Sequence, residues 1–202
     1  MLWFTADLHL GHANIIAYTG RPFAGPEEMD EALVAAWNAT VAAEDTVWVL
    51  GDFALGRIDQ TLPTVARLGG RKLLVPGNHD RCWAGQCKGA EGWTRRYREA
   101  GFAEVVEGPV ELTVGGHQVL AHHFPYHGDS RDHERFGAHR PLDRGAWLLH
   151  GHVHDRWRQA GRQLNVGVDA WGGRPVGEGE LVRLIEAGPA VLDPLEWAPG
   201  LS

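Results

Sequence analysis

Cysteine is nearly absent from this chain. Cys82 and Cys87 are the only two among 202 residues, and their C-x4-C spacing lacks the second pair that a structural zinc site needs. Both are expected to be free thiols near the surface, in a reducing cytoplasm. An excess of basic charge is missing too. Lys and Arg total 19 against 26 Asp and Glu, a formal net charge of −7, which argues against a broad, sequence-independent grip on duplex nucleic acid. Residues 1–6 lead straight into Asp7 with no basic leader and no long apolar core, so neither a secretory signal nor a membrane span is expected. No linker, repeat or low-complexity tract divides the chain. With 44% hydrophobic residues it can fill one full core, and residues 1–202 are expected to form one domain.

What is present alternates short apolar strands with helical stretches, the pattern of an α/β fold. Residues 2–6, 46–50 and 71–75 read as strands. Pro26-Glu27-Glu28 opens a helix whose apolar positions Leu33, Val34, Trp37 and Val41 recur at helical spacing. Residues 58–68 are helical in tendency, with Pro63 interrupting and Gly69-Gly70 ending them. The second half is richer in strands, at 102–106, 110–114, 118–121, 146–149, 163–168 and 180–185. Two packed sheets with flanking helices are expected.

Four of the predicted strands end in Asp, Asn or His. They deliver Asp7-Leu8-His9, Gly51-Asp52, Gly77-Asn78-His79-Asp80 and Gly151-His152-Val153-His154. Each alone has an ordinary explanation. Gly-Asp is a common turn, Asn78 or Asp80 can cap a helix, and histidines at a strand end are often solvated. If the first strand runs on through residue 9, Asp7 and His9 share one face. An H-x-H pair suits Zn, Mn or Fe. Four such ends together point to a binuclear metal centre that handles phosphate, and its cations would make the site locally positive despite the net charge.

With the adjacent pair His122/His123, these segments closely resemble the calcineurin-like metallophosphoesterase superfamily, in the family's order from residue 7 to residue 154. The block from Phe4 to His12, with Asn14-Ile15-Ile16 and Arg21-Pro22-Phe23, resembles its small prokaryotic and phage branch. The resemblance implies a four-layer α/β/β/α sandwich of two mixed sheets flanked by helices. It also implies two divalent metal ions, Mn²⁺ first, with Fe, Zn, Ni or Co as alternatives. Asp7, His9 and His154 would hold one ion, and Asn78, His152 and either His122 or His123 the other. Asp52 would bridge both, and a hydroxide held between the ions would attack the phosphate. Relatives place the fourth-block ligand directly before an aromatic-Pro pair, which selects His123 of His123-Phe124-Pro125 and leaves His122 on the opposite face of its strand. His79 would give a proton to the leaving oxygen, with Asp80 fixing its tautomer and orientation. His12 is either a substrate contact at the mouth or a plain surface histidine.

The polar stretch 124–145 is long for a loop inside a compact domain. It carries Arg131, Arg135, Arg140 and Arg144, which can fork onto phosphate oxygens; Arg140 is the substrate contact selected. The alternative is a solvated loop ion-paired through Asp129, Asp132, Glu134 and Asp143. Nine Trp residues, including Trp157 and Trp171, suit core packing or base stacking. The substrate expected is a phosphodiester of nucleotide type or a nucleic-acid end, with no membrane and no obligate protein partner. A phosphomonoesterase or protein phosphatase on the same core, and a non-catalytic metal-binding scaffold, are the rivals, because fold does not choose among them.

Overall fold

Val47 and Val49 face one hydrophobic cluster and Trp48 and Leu50 face another, so the stretch that carries them is covered on both sides. This period-two alternation sets one sheet between two cores. The computed structural model describes residues 1–85 and 89–198, and the expectation for Cys87 lies outside them. The strands are β1 (Leu2–Thr5), β2 (Thr46–Val49), β3 (Arg71–Leu74), β4 (Glu104–Val105), β5 (Val110–Val114), β6 (His117–Ala121), β7 (Trp147–His150), β8 (Gln159–Gly161), β9 (Gln163–Asn165), β10 (Val176–Gly177) and β11 (Ala190–Leu192). The helices are α1 (Ala13–Thr19), α2 (Pro26–Thr40), α3 (Ile58–Thr61), α4 (Ala90–Ala100) and α5 (Glu178–Ala187).

Both sheets are mixed. The first has the order β10-β1-β2-β3-β4, parallel except for β10 at its edge. The second has the order β11-β8-β9-β7-β6-β5, with β6, β7 and β9 parallel. Phe4, Leu50 and Val75 from the first meet Ala121, Leu149 and Leu164 from the second in one buried cluster. On the other face of the first sheet, α2 buries Met29, Leu33, Val34 and Trp37 against Val47, Val49 and Leu74. Pro26 at its first position and Glu27 and Glu28 in its first turn suit a helix N-terminus. The result is an α/β sandwich of the kind expected. Among the described residues no helix is long and apolar enough to cross a membrane.

Several local expectations are corrected. Residues 180–185 are not a strand but lie inside α5, where Leu181 and Ile185, four apart, share the buried face. The stretch 163–168 is strand only to Asn165, and a 3-10 turn follows at Val168–Ala170. The unforeseen helix α4 buries only Tyr97, so it has almost no apolar stripe to read. Cys82 carries a free thiol but is 1% exposed, packed in a buried hydrophobic cluster rather than near the surface.

This topology positions the site. β1, β2 and β3 run in parallel, as do β6 and β7, so the carboxyl ends within each set gather on one side, where α/β sheets hold their ligands.

Candidate metal centre

The chain leaves these strand ends through left-handed turns. Six non-glycine residues among those described have positive φ, and five of them are Asp7 (56°), His9 (52°), Asp52 (54°), His152 (72°) and His154 (53°). β1 therefore does not continue through residue 9. Instead, Asp7 N–H donates to Gly51 O and His9 N–H to Asp52 O, each at 3.0 Å. The D-x-H side chains meet because both residues are left-handed, not because a strand alternates.

The motif glycines allow the close approach. A Cβ on Gly51 would stand 2.5 Å from His123 Nδ1, and one on Gly77 would run into Asp52 Oδ1. Asp52 Oδ2 sits 3.6 Å from His9 Nε2 and 3.5 Å from His123 Nε2. Its Oδ1 accepts the backbone N–H of His79 at 2.8 Å. Asn78 Oδ1 lies 3.1 Å from His123 Nε2, while His123 Nδ1 contacts Leu50 O at 2.8 Å. Two buried triads thus have ligand atoms within 4.8 Å of one another: Asp7, His9 and His154, and Asp7, Asp52 and His123. His152 belongs to neither triad. Its backbone N–H donates to Asp7 Oδ2 at 2.9 Å, and its Nε2 lies 3.0 Å from Asp129.

Burial dominates the electrostatics. It pushes Asp7 up to about 7, with His154 opposing and Asp52 adding to the effect. It holds His9 well below the usual imidazole range, aided by His154 and Arg21, and takes His123 down to about 3. In Asp52, burial is outweighed by His123 and His79, so that carboxyl is lowered. In His154, burial is outweighed by Asp7 and Asp169, so that imidazole is raised. Imidazoles beside carboxylates, once deprotonated, are the donor set that a divalent cation takes.

The residues fit such an ion on a second ground. Asp7 Oδ1 and both ring nitrogens of His9 are buried without a hydrogen-bond partner, although buried polar atoms in native folds are nearly always paired. Those orphaned atoms belong to the first triad.

Other expected residues are placed as follows. His122 turns away from Asp52: its Nδ1 accepts the Phe124 N–H at 3.1 Å, and its ring packs against Gly108. His12 reaches the cavity mouth, its ring centroid 5.5 Å from His9 and 6.5 Å from His79. Asp80 is corrected. Its carboxylate accepts the backbone N–H groups of Asp52, Gly77 and Phe53 and the Tyr97 hydroxyl, so it braces two strand ends and does not orient the His79 ring. Arg140 is corrected as well, because its guanidinium is held by Gly128 O, Arg135 O and Asp129 and does not line the cavity. Arg131 and Arg135 line it instead, in a space of about 320 Å³ with His9, Asp52, Asn78 and His79. Of the loop's two readings, internal ion pairing describes Arg135 and Arg140, which both meet Asp129.

Arg21 and Asp169 were not foreseen as site residues. Arg21 donates to Asp7 O, Leu8 O and both oxygens of Asp169, beneath the D-x-H turn. Their signal was faint: Asp169 follows a predicted strand, as the other site carboxylates do.

Residues 4–171 match the model of the calcineurin-like phosphoesterase superfamily domain. The chain belongs to that superfamily. It is a metal-dependent phosphoesterase in class, with a phosphate ester as its substrate. Gene 66 protein of Mycobacterium phage D29 is 39% identical over 180 residues, covering 84% of this chain and 88% of its own length. The phage L5 protein of the same name is 36% identical over 197 residues, covering 91% and 93%. A solved structure of a protein of unknown function from Aquifex aeolicus superposes with a TM-score of 0.69 at 27% identity, over 91% of this chain and 98% of its own.

Proposed function

We propose that this phosphoesterase is a binuclear phosphodiesterase acting on nucleotide-like diesters. The observation that carries the diester preference is the position of His79. It lines the 320 Å³ cavity together with His9, Asp52, Asn78, His152 and His154, and it also lines a second cavity of about 330 Å³ with Leu55, Ile58, Arg81 and Trp93. A monoester has one organic arm, whereas a diester has two, and here two spaces flank one histidine.

In this reading Asp7, His9 and His154 hold one ion, Asn78, His123 and His152 the other, and Asp52 serves both. The ions, Mn²⁺ foremost, supply Lewis acidity toward the phosphate oxygens and a water nucleophile active near neutral pH. His79, fixed through its backbone N–H to Asp52 Oδ1, gives a proton to the departing oxygen, which leaves toward Arg81 and Trp93. His12, Arg131 and Arg135 line the space for the arm that stays. Site residues come from both sheets, which supports a single working domain over 1–202, and the free thiol of Cys82 supports a cytoplasmic setting.

The test is hydrolysis of bis(p-nitrophenyl) phosphate against p-nitrophenyl phosphate by metal-stripped protein reconstituted with Mn²⁺. Activity should vanish on chelation, return with Mn²⁺ and favour the diester. Asp52→Asn should remain inactive at saturating metal. Preference for the monoester would replace the diester reading, and full activity of Asp52→Asn would overturn the binuclear one.

A further inference from the structure

His152 and His154 stand two residues apart, yet the reading above sends them to different ions. Each has one ring nitrogen against a buried carboxylate, and it is not the same nitrogen. His152 Nε2 lies 3.0 Å from Asp129 Oδ2, and His154 Nδ1 lies 3.2 Å from Asp169 Oδ2. Both carboxylates are 3% exposed, and both are anchored from behind. Arg21 grips Asp169 with Nε on Oδ1 and Nη2 on Oδ2, each at 2.8 Å. Asp129 accepts the backbone N–H groups of Arg131 and Arg135 and the guanidinium groups of Arg135 and Arg140.

We propose that Asp129 and Asp169 are positioning residues that fix His152 and His154 in opposite tautomers, one for each ion. The inference rests on the binuclear reading. An ionised carboxylate only accepts hydrogen bonds, and a neutral imidazole has one N–H and one lone pair. His152 therefore carries its proton on Nε2 and offers Nδ1, while His154 carries its proton on Nδ1 and offers Nε2. Two histidines of identical chemistry, one residue between them, thus present different edges, which is how one short turn can serve two positions. The arrangement also explains why the stretch 124–145 folds back on itself. Through Asp129 it holds a histidine of the centre, and Arg135 and Arg140 hold Asp129.

Long-range ¹H–¹⁵N NMR of the histidine rings in the metal-free wild-type protein, recorded at alkaline pH where both rings are neutral, reads the tautomers directly, with assignment by single His→Gln variants. The expected result is Nε2–H at His152 and Nδ1–H at His154; a shared tautomer overturns the proposal. Calorimetric Mn²⁺ titration supplies the second arm. Removal of a partner behind a metal-bound histidine typically weakens binding about 10–100-fold. Asp129→Asn should weaken one ion by that factor and Asp169→Asn the other. Asp132→Asn breaks an exposed ion pair between this stretch and Arg156 without touching Asp129 or His152 and should leave both affinities near wild type. Equal weakening by Asp132→Asn and Asp129→Asn would mean that loop disorder is the cause, and unchanged affinity in both Asp129→Asn and Asp169→Asn would refute positioning. If a variant fails to fold, the wild-type tautomers still decide. If the wild type takes fewer than two ions, the binuclear reading fails instead, and the NMR result separates the two failures.

Discussion

Asp80 Oδ2 accepts the backbone N–H of Asp52 at 2.8 Å and that of Gly77 at 2.8 Å, tying the ends of β2 and β3 together. Phe53 N–H reaches Oδ1 at 3.2 Å. Loss of that acceptor leaves three buried backbone donors and the Tyr97 hydroxyl without a partner, each worth about 1–3 kcal/mol. Asp80→Ala should therefore lower the stability of the metal-free protein by at least about 3 kcal/mol, read by urea unfolding. Asp80→Asn should leave the dependence of rate on leaving-group pKa as in the wild type; a changed slope would show that Asp80 acts through His79 after all.

The adjacent histidines give a second prediction. His123 faces Asp52 and Asn78, whereas His122 packs against Gly108. His123→Ala should lose one metal equivalent and most turnover. His122→Ala should keep two metals, with at most a modest loss of stability. Metal analysis of the two purified variants decides, and the reverse pattern would reassign the ligand to His122.

His79 separates proton donation from metal binding. General acid catalysis contributes roughly 10²–10⁴-fold, and a nitrophenolate needs little of it. His79→Ala should spare aryl diesters relative to nucleotide diesters while keeping both metals. kcat/KM across a series of leaving groups, with metal content on the same samples, is the measurement. A uniform loss would remove the general-acid role.

Arg21 and Asp169 form an ion pair with side chains 0% and 1% exposed. Breaking a buried pair by removing one partner typically costs about 3–5 kcal/mol. Arg21→Met should lower stability by about that amount in thermal or urea unfolding. A loss below about 1 kcal/mol would mean that the pair is not the anchor its burial suggests.

The large features were legible because they follow local rules. The strands 110–114 and 118–121 and the helix opened by Pro26 carry period-two and period-3.6 signals that no tertiary contact overrides. The turn residues at 7, 52, 78 and 152 stand out because each follows an apolar run. Residues 180–185 misled because a short apolar run has no unique period, and only the burial of Leu181 with Ile185 separates helix from strand. Asp80, Asp129 and Asp169 were hardest to read. Asp80 binds 28 residues back in the chain, and Asp129 meets His152 23 residues on. Their partners are set by sheet packing, and no spacing along the chain encodes that.

The five left-handed residues at the strand ends have one more consequence. For an ordinary side chain this conformation costs roughly 1–2 kcal/mol per residue, and glycine adopts it freely. The same turns also bury the unpaired atoms of Asp7 and His9. Folding and function therefore pull these positions in opposite directions. A library of this chain selected only for heat resistance should drift toward glycine or asparagine at 7, 9, 52, 152 and 154, gaining robustness as it discards its chemistry.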